Sequence, residues 1–150
     1  MGRSKPFKPV AVVVEDDSLQ SSLAATLLEE ANFEVVECRT AEKAVGVIKR
    51  LDARVSLVFT DINLGPGMDG LELANLVREN YPGATVVITS GNVSGRNSQL
   101  ATQMYFMPKP WVPLNLLMAA ERARPVVAPS EPADAGKLRE RSNALATQIR

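Results

Sequence analysis

The sequence contains no histidine. That absence removes the commonest general base, the commonest metal ligand and every Ser-His-Asp hydrolytic scheme. Cysteine occurs once, as Cys38. No internal disulfide can form, and a reducing, cytoplasmic compartment fits. Charge of either sign is not in excess: 17 Lys and Arg balance 17 Asp and Glu. There is thus no electrostatic case for a nucleic-acid or membrane surface, and neither partner is expected. No apolar run approaches the ~20 residues that span a bilayer. The first nine residues carry Arg3, Lys5 and Lys8 with no apolar core after them, so no secretory signal is expected. A Walker A sequence is also missing. What is present, 45% hydrophobic and 23% charged residues in a chain of 150, suits one globular domain with a real core.

The apolar residues fall in short, regularly spaced runs. Val10 to Val14 is unbroken and β-branched, and predicts a strand buried on both faces. Asp17 or Ser18 can cap a helix carrying Leu19, Leu23, Leu27 and Leu28. Glu34 to Cys38 predicts a second strand. Thr40 can cap a second helix with Ala44, Val47, Ile48 and Leu51 on one face. Ser56 to Thr60, Thr85 to Thr89 and Met104 to Met107 predict three more strands. Between the third and fourth lies a Gly/Pro-rich loop, Gly65 to Gly70, then a helix with Leu73, Ala74 and Val77 that Tyr81-Pro82-Gly83 stops. From Gly91 to Gln103 the pattern weakens, so the fourth helix is expected to be short or irregular. Pro113 suits the first turn of a last helix carrying Leu114, Leu117 and Met118.

Strands alternating with helices imply an α/β fold with a parallel sheet covered on both faces. Right-handed crossovers make it doubly wound, and a five-stranded order 2-1-3-4-5 is expected. Residues 1–9 are expected to be a flexible arm and 10–124 the domain. Residues 125–150 read as a Pro/Ala-rich linker and a candidate C-terminal helix, which would serve as a docking or dimerisation element or as a solvated, frayed segment.

In such folds chemistry sits beyond the carboxyl ends of the strands. Glu15 and Asp16 follow the first strand there, and Asp61 follows the third. Three converging carboxylates need a cation, and hard oxygen ligands suit Mg²⁺. Lys109 ends the fifth strand and brings a positive charge to the same edge, while Thr89 ends the fourth and brings a hydroxyl. Taken singly, each has an ordinary explanation as a helix cap, a solvated hydroxyl or a commonplace Lys-Pro. Together they are the equipment for moving a phosphoryl group onto a carboxylate.

The pieces V-V-V-E-D-D, L-V-F-T-D-I-N-L, M-D-G, V-V-I-T-S-G and M-P-K-P-W, spread over Val10 to Arg122, resemble the response regulator receiver domain of two-component signalling. The resemblance implies a flavodoxin-like fold and a signalling protein rather than an enzyme. It implies that Asp61 is the phosphoacceptor and that Glu15, Asp16, Asp61 and the backbone carbonyl of Asn63 hold Mg²⁺. Thr89 then matches the switch hydroxyl, Lys109 the lysine that pairs with the phosphoryl group, Pro110 a proline often joined by a cis bond, and Phe106 the aromatic switch. A sensor histidine kinase or phosphotransfer protein is the implied donor, and a homodimer a candidate assembly. Three departures stand out. The loop N-L-G-P-G-M-D-G is one residue longer than usual, the stretch Gly91 to Gln103 is poor in helix formers, and Phe106 lacks a tyrosine's phenol.

Rival readings are weaker. Gly65 to Gly70 fits G-x-G-x-x-G, but it follows the third strand rather than the first, and Asp61 would repel a pyrophosphate. An aspartyl-phosphate phosphatase needs a second acid where Asn63 stands. A docking module that takes no phosphate would not need Glu15, Asp16, Asp61, Thr89 and Lys109 together. Trp111 either packs against the last helix or offers a partner surface.

Overall fold

A computed structural model describes residues 8–91 and 103–125 of the chain. The expected helix between the fourth and fifth strands, the C-terminal linker and helix, and the first seven residues of the arm fall outside the described residues.

The elements run β1 (Val10–Val14), α1 (Ser18–Glu30), β2 (Glu34–Cys38), α2 (Ala41–Leu51), β3 (Val55–Asp61), α3 (Gly70–Asn80), β4 (Thr85–Ser90), β5 (Met104–Pro108) and α4 (Pro113–Ala123). One 3-10 turn, Asp52–Arg54, leads into β3. The sheet has the order β2-β1-β3-β4-β5, and every neighbouring pair is parallel. This is the doubly wound order expected from the sequence. The three inner strands are buried along their whole length. That explains why β1 reads as an unbroken apolar run, while in the edge strand β2 the glutamates Glu34 and Glu37 interrupt it.

Alternation along each strand sends side chains into two separate cores. Val10, Val12, Val14, Val58 and Val86 meet Ile48 of α2 and Leu73 of α3. Ala11, Val13, Leu57, Phe59 and Val87 meet Leu28 of α1 and Leu116 of α4. Each fully buried Leu, Ile or Phe contributes about 1.5–3 kcal/mol. The helix starts are fixed locally. Asp17 Oδ1 accepts from the Leu19 and Gln20 N–H groups, and Thr40 Oγ1 accepts from Lys43 N–H. Asp69 and Glu72 form a reciprocal capping box at α3. Helix α4 has no side-chain cap and opens on Pro113, which has no N–H to satisfy.

Two helical faces differ from the spacing of their leucines. On α1 the core side is Ser21, Ala24, Ala25 and Leu28, whereas Leu19 is 82% exposed and Leu23 is 50% exposed. On α4 the core side is Leu116, Ala119, Ala120 and Ala123, and Leu114 and Met118 face outward. The two helices pack on one face of the sheet and touch each other. Small residues there let both backbones lie close to the sheet and leave the larger side chains outside.

Candidate functional site

The site grows from the register of the sheet. Val14 is paired with Thr60, so the next residues, Glu15 and Asp61, leave the sheet side by side. Asp61 is paired with Thr89, and Thr89 with Met107 of β5. Backbone bonds carry the ladder past the strand ends: Glu15 N–H donates to Cys38 O at 3.0 Å, Ile62 N–H to Thr89 O at 2.9 Å and Lys109 N–H to Ser90 O at 2.9 Å. The acids, the hydroxyl and the ammonium are therefore presented from one rigid edge.

Asp61 is held from both sides. Its Oδ1 accepts from the Asn63 N–H at 3.2 Å, and its Oδ2 accepts from Lys109 Nζ at 2.8 Å. Glu15 is almost fully buried; its Oε2 accepts from Asp17 N–H at 3.1 Å. Glu15 Oε1 lies 3.6 Å from Lys109 Nζ, within ion-pair range but too far for a hydrogen bond, and it is buried without a hydrogen-bond partner among the described residues. Burial pushes the Glu15 carboxyl above the ordinary carboxylate range, with the Asp61 charge adding to it, against the Asp17 N–H and the Lys109 charge. For Lys109, burial pulls downward, but the hydrogen bond to Asp61 and the Glu15 and Asp61 charges outweigh it and raise the ammonium. Asp16 is exposed, and its backbone carbonyl accepts from the Arg39 guanidinium at 3.1 Å. Thr89 is fully buried, and its Oγ1 has no hydrogen-bond partner among the described residues.

Carboxylate oxygens of Glu15, Asp16 and Asp61 all lie within 4.8 Å of one another. Hard oxygen donors at this spacing fit Mg²⁺, and Glu15 Oε1, buried without a hydrogen-bond partner among the described residues, is left free for such a cation. Asn63 is exposed at the start of the β3–α3 loop. Phe106 is half-buried on β5 against the α2–α3 core, and the Lys109–Pro110 bond is cis. Trp111 meets Phe59 edge to face with centroids 5.5 Å apart, so it packs on the α1–α4 core.

Sequence reasoning missed three residues around this edge. Gly70 starts α3 so close to β3 that a Cβ there would sit 1.9 Å from the Asp61 carbonyl oxygen. The M-D-G pattern marked the position without giving that reason. Arg39 steadies the Asp16 backbone from the end of β2. Glu42 of α2 accepts from Met68 N–H at 2.8 Å, across 26 residues of sequence, where no local signal exists.

The family model for the response regulator receiver domain matches residues 11–121. The nitrogen assimilation regulatory protein NtrX of Azorhizobium caulinodans is 33% identical over 117 residues, covering 75% of this chain and 25% of that protein. The transcriptional regulatory protein FlgR of Helicobacter pylori is 31% identical over 121 residues, covering 79% of this chain and 30% of that protein. The chain therefore spans about a quarter to a third of the length of these two relatives. Among solved structures, a CheY-like response regulator receiver domain protein from Methanospirillum hungatei superposes with a TM-score of 0.66 at 26% identity, over 77% of this chain and 92% of that one.

Proposed function

The chain belongs to the response regulator receiver domain family, and on that premise we propose that Asp61 accepts a phosphoryl group and that this changes a protein-binding surface. The observation that carries the reading is the Lys109–Asp61 ion pair at 2.8 Å beside a buried Thr89 hydroxyl that has no partner among the described residues. A carboxylate held at both oxygens is aimed rather than free to rotate, and a donor without a partner is waiting for an acceptor.

The donor is a phosphohistidine on a sensor histidine kinase or phosphotransfer protein. An Asp61 carboxylate oxygen attacks phosphorus in line with the departing imidazole nitrogen. The O–P bond forms as the N–P bond breaks, and the imidazole leaves with the electron pair. Lys109 follows the charge onto the phosphoryl oxygens, and Thr89 donates its hydroxyl to one of them. Mg²⁺, when held by Glu15, Asp16, Asp61 and the Asn63 carbonyl, supplies positive charge against the crowded carboxylates and the incoming phosphoryl group. Two residues past Asp61 stands Asn63, an amide that cannot act as the general acid of a hydrolase, so the acyl phosphate persists as a signal.

Helices α1 and α4 both begin at this edge of the sheet. Their starts expose Leu19, Val112 and Leu114 beside it, an apolar rim that suits a protein donor rather than a small phosphomonoester. Recruitment of Thr89 then biases β4 and β5, and with them Phe106. Beside Phe106, Tyr105, Met118 and Arg122 line a cavity of about 210 Å³, with the Arg122 guanidinium 5.7 Å from the Tyr105 ring centroid.

Acetyl phosphate or beryllofluoride, offered with Mg²⁺ to the wild type and to Asp61→Asn, tests the central claim. Intact-mass or Phos-tag analysis should show a modified wild type and an unmodified variant. Equal labelling of both, or none of the wild type, refutes it.

A further inference from the structure

The β3–α3 loop is closed at its base by Gly70 N–H donating to Ile62 O at 2.8 Å. Between these points it makes two sharp turns, with Gly65 at φ 86° and Gly67 at φ 98°, both in the left-handed region that glycine tolerates. One side chain from another element grips this stretch. Glu42 stands in the first turn of α2, where a negative charge suits the helix N-terminus. Its Oε2 accepts from Met68 N–H at 2.8 Å. The same oxygen would lie only 2.7 Å from a Cβ on Gly67, so the loop folds around the carboxylate at a distance that only a glycine allows without displacing it. That hydrogen bond is also the leading cause holding the Glu42 carboxyl below the ordinary range. The Met68 side chain packs on the α2–α3 core just beyond the grip.

We propose that Glu42 is a positioning residue for the phosphoacceptor site, a carboxylate on α2 that clasps Gly67 and Met68 and thereby sets the loop that presents the Asn63 carbonyl. The inference rests on the reading of Asp61 and Asn63 given above. The clasp explains how a loop with two left-handed glycines keeps one path between Asn63 and α3. It also makes α2 a handle on the site, since a shift of its first turn is passed to the loop through one hydrogen bond.

The test compares wild type, Glu42→Ala and Glu42→Gln, the last retaining an oxygen that accepts the same N–H. Two readouts are needed. In metal-free protein, amide exchange by NMR should show Met68 N–H losing protection in Glu42→Ala and keeping most of it in Glu42→Gln. In the second, Trp111 fluorescence follows titration with Mg²⁺ and then beryllofluoride. Glu42→Ala should bind Mg²⁺ about 3- to 10-fold more weakly, the range for one lost backbone hydrogen bond, with Glu42→Gln near wild type. Unchanged Met68 exchange, or unchanged Mg²⁺ binding in Glu42→Ala beside a responsive wild type, overturns the clasp alone. Equal losses in Glu42→Ala and Glu42→Gln overturn it too. A wild type that takes neither Mg²⁺ nor beryllofluoride overturns the phosphoacceptor reading and the clasp with it.

Discussion

Replacing Gly70 by alanine should be among the most damaging single-methyl additions to this domain. The added Cβ would meet Asp61 O at 1.9 Å, Asp61 C at 2.7 Å and Ile62 Cα at 2.9 Å. All three are backbone atoms at the end of β3, so no side chain can swing aside. Ile62 is tied to β4 by its N–H to Thr89 O, and Gly70 is tied to Ile62 by its own N–H. To relieve the overlap, α3 must back away and weaken the second bond, or β3 must leave the ladder. Overpacking of this kind costs about 1–3 kcal/mol. Losing the Gly70–Ile62 hydrogen bond adds about 1 kcal/mol. Alanine's better helix propensity returns at most about 1 kcal/mol, and less at a first turn. The net loss is about 1–4 kcal/mol, a substantial part of the ~5–15 kcal/mol that holds a domain of this size. Urea unfolding should show a lower midpoint with an unchanged slope. Because the shift falls on the Asp61 backbone, beryllofluoride binding by the folded variant should also weaken. A Gly70→Ala protein within about 0.5 kcal/mol of wild type, the range of ordinary surface changes, would refute the close-approach argument.

Two other substitutions bear on the charge balance of the site. Lys109→Ala leaves Glu15 and Asp61 without their cation and should destabilise metal-free protein by about 1–2 kcal/mol; thermal melts with and without saturating Mg²⁺ should show the loss shrinking when the metal replaces the ammonium. Glu15→Gln should do the reverse at neutral pH: the folded protein raises this carboxyl, so its charged form opposes folding, and removing it should stabilise metal-free protein while weakening Mg²⁺ binding. The sign fixes the pH window, because the wild-type carboxyl favours folding fully only below its unfolded value near 4.5 and loses that contribution as pH rises through the folded value. Denaturant melts from pH 4 to pH 7.5 should therefore show the advantage of Glu15→Gln growing with pH, and a constant difference would contradict the burial argument.

Much of the fold was legible because the inner strands are buried on both faces. Val10 to Val14 and Thr85 to Thr89 have no polar alternation to confuse with a helix face, and their ends lie within a residue of the observed elements. The site was legible for a related reason: in a parallel sheet the residue after an apolar run must emerge at the carboxyl edge, so Glu15, Asp61, Thr89 and Lys109 share a neighbourhood by topology. The helix faces were less legible. Period 3.6 reports that Leu19, Leu23 and Leu27 share a side, not that the side is inward, and against a flat sheet the close-packing residues on α1 and α4 are mostly alanines. The Glu42 and Arg39 contacts were not legible at all, since each depends on where two distant backbones come to rest.

The position of β1 has a consequence for how the chain assembles. It precedes the other four strands of the sheet in sequence, yet it lies in the interior, between β2 and β3. Its Ala11 and Val13 belong to a core that Leu116, Ala120 and Ala123 of α4 complete. Pairings so distant in sequence form slowly, because loop closure precedes any reward. A growing chain that has released β1 to β4 but not α4 therefore carries Leu57, Phe59 and Val87 on a sheet face that α1 alone covers. Until Pro113–Ala123 arrives, that face stays partly open to chaperones and to aggregation.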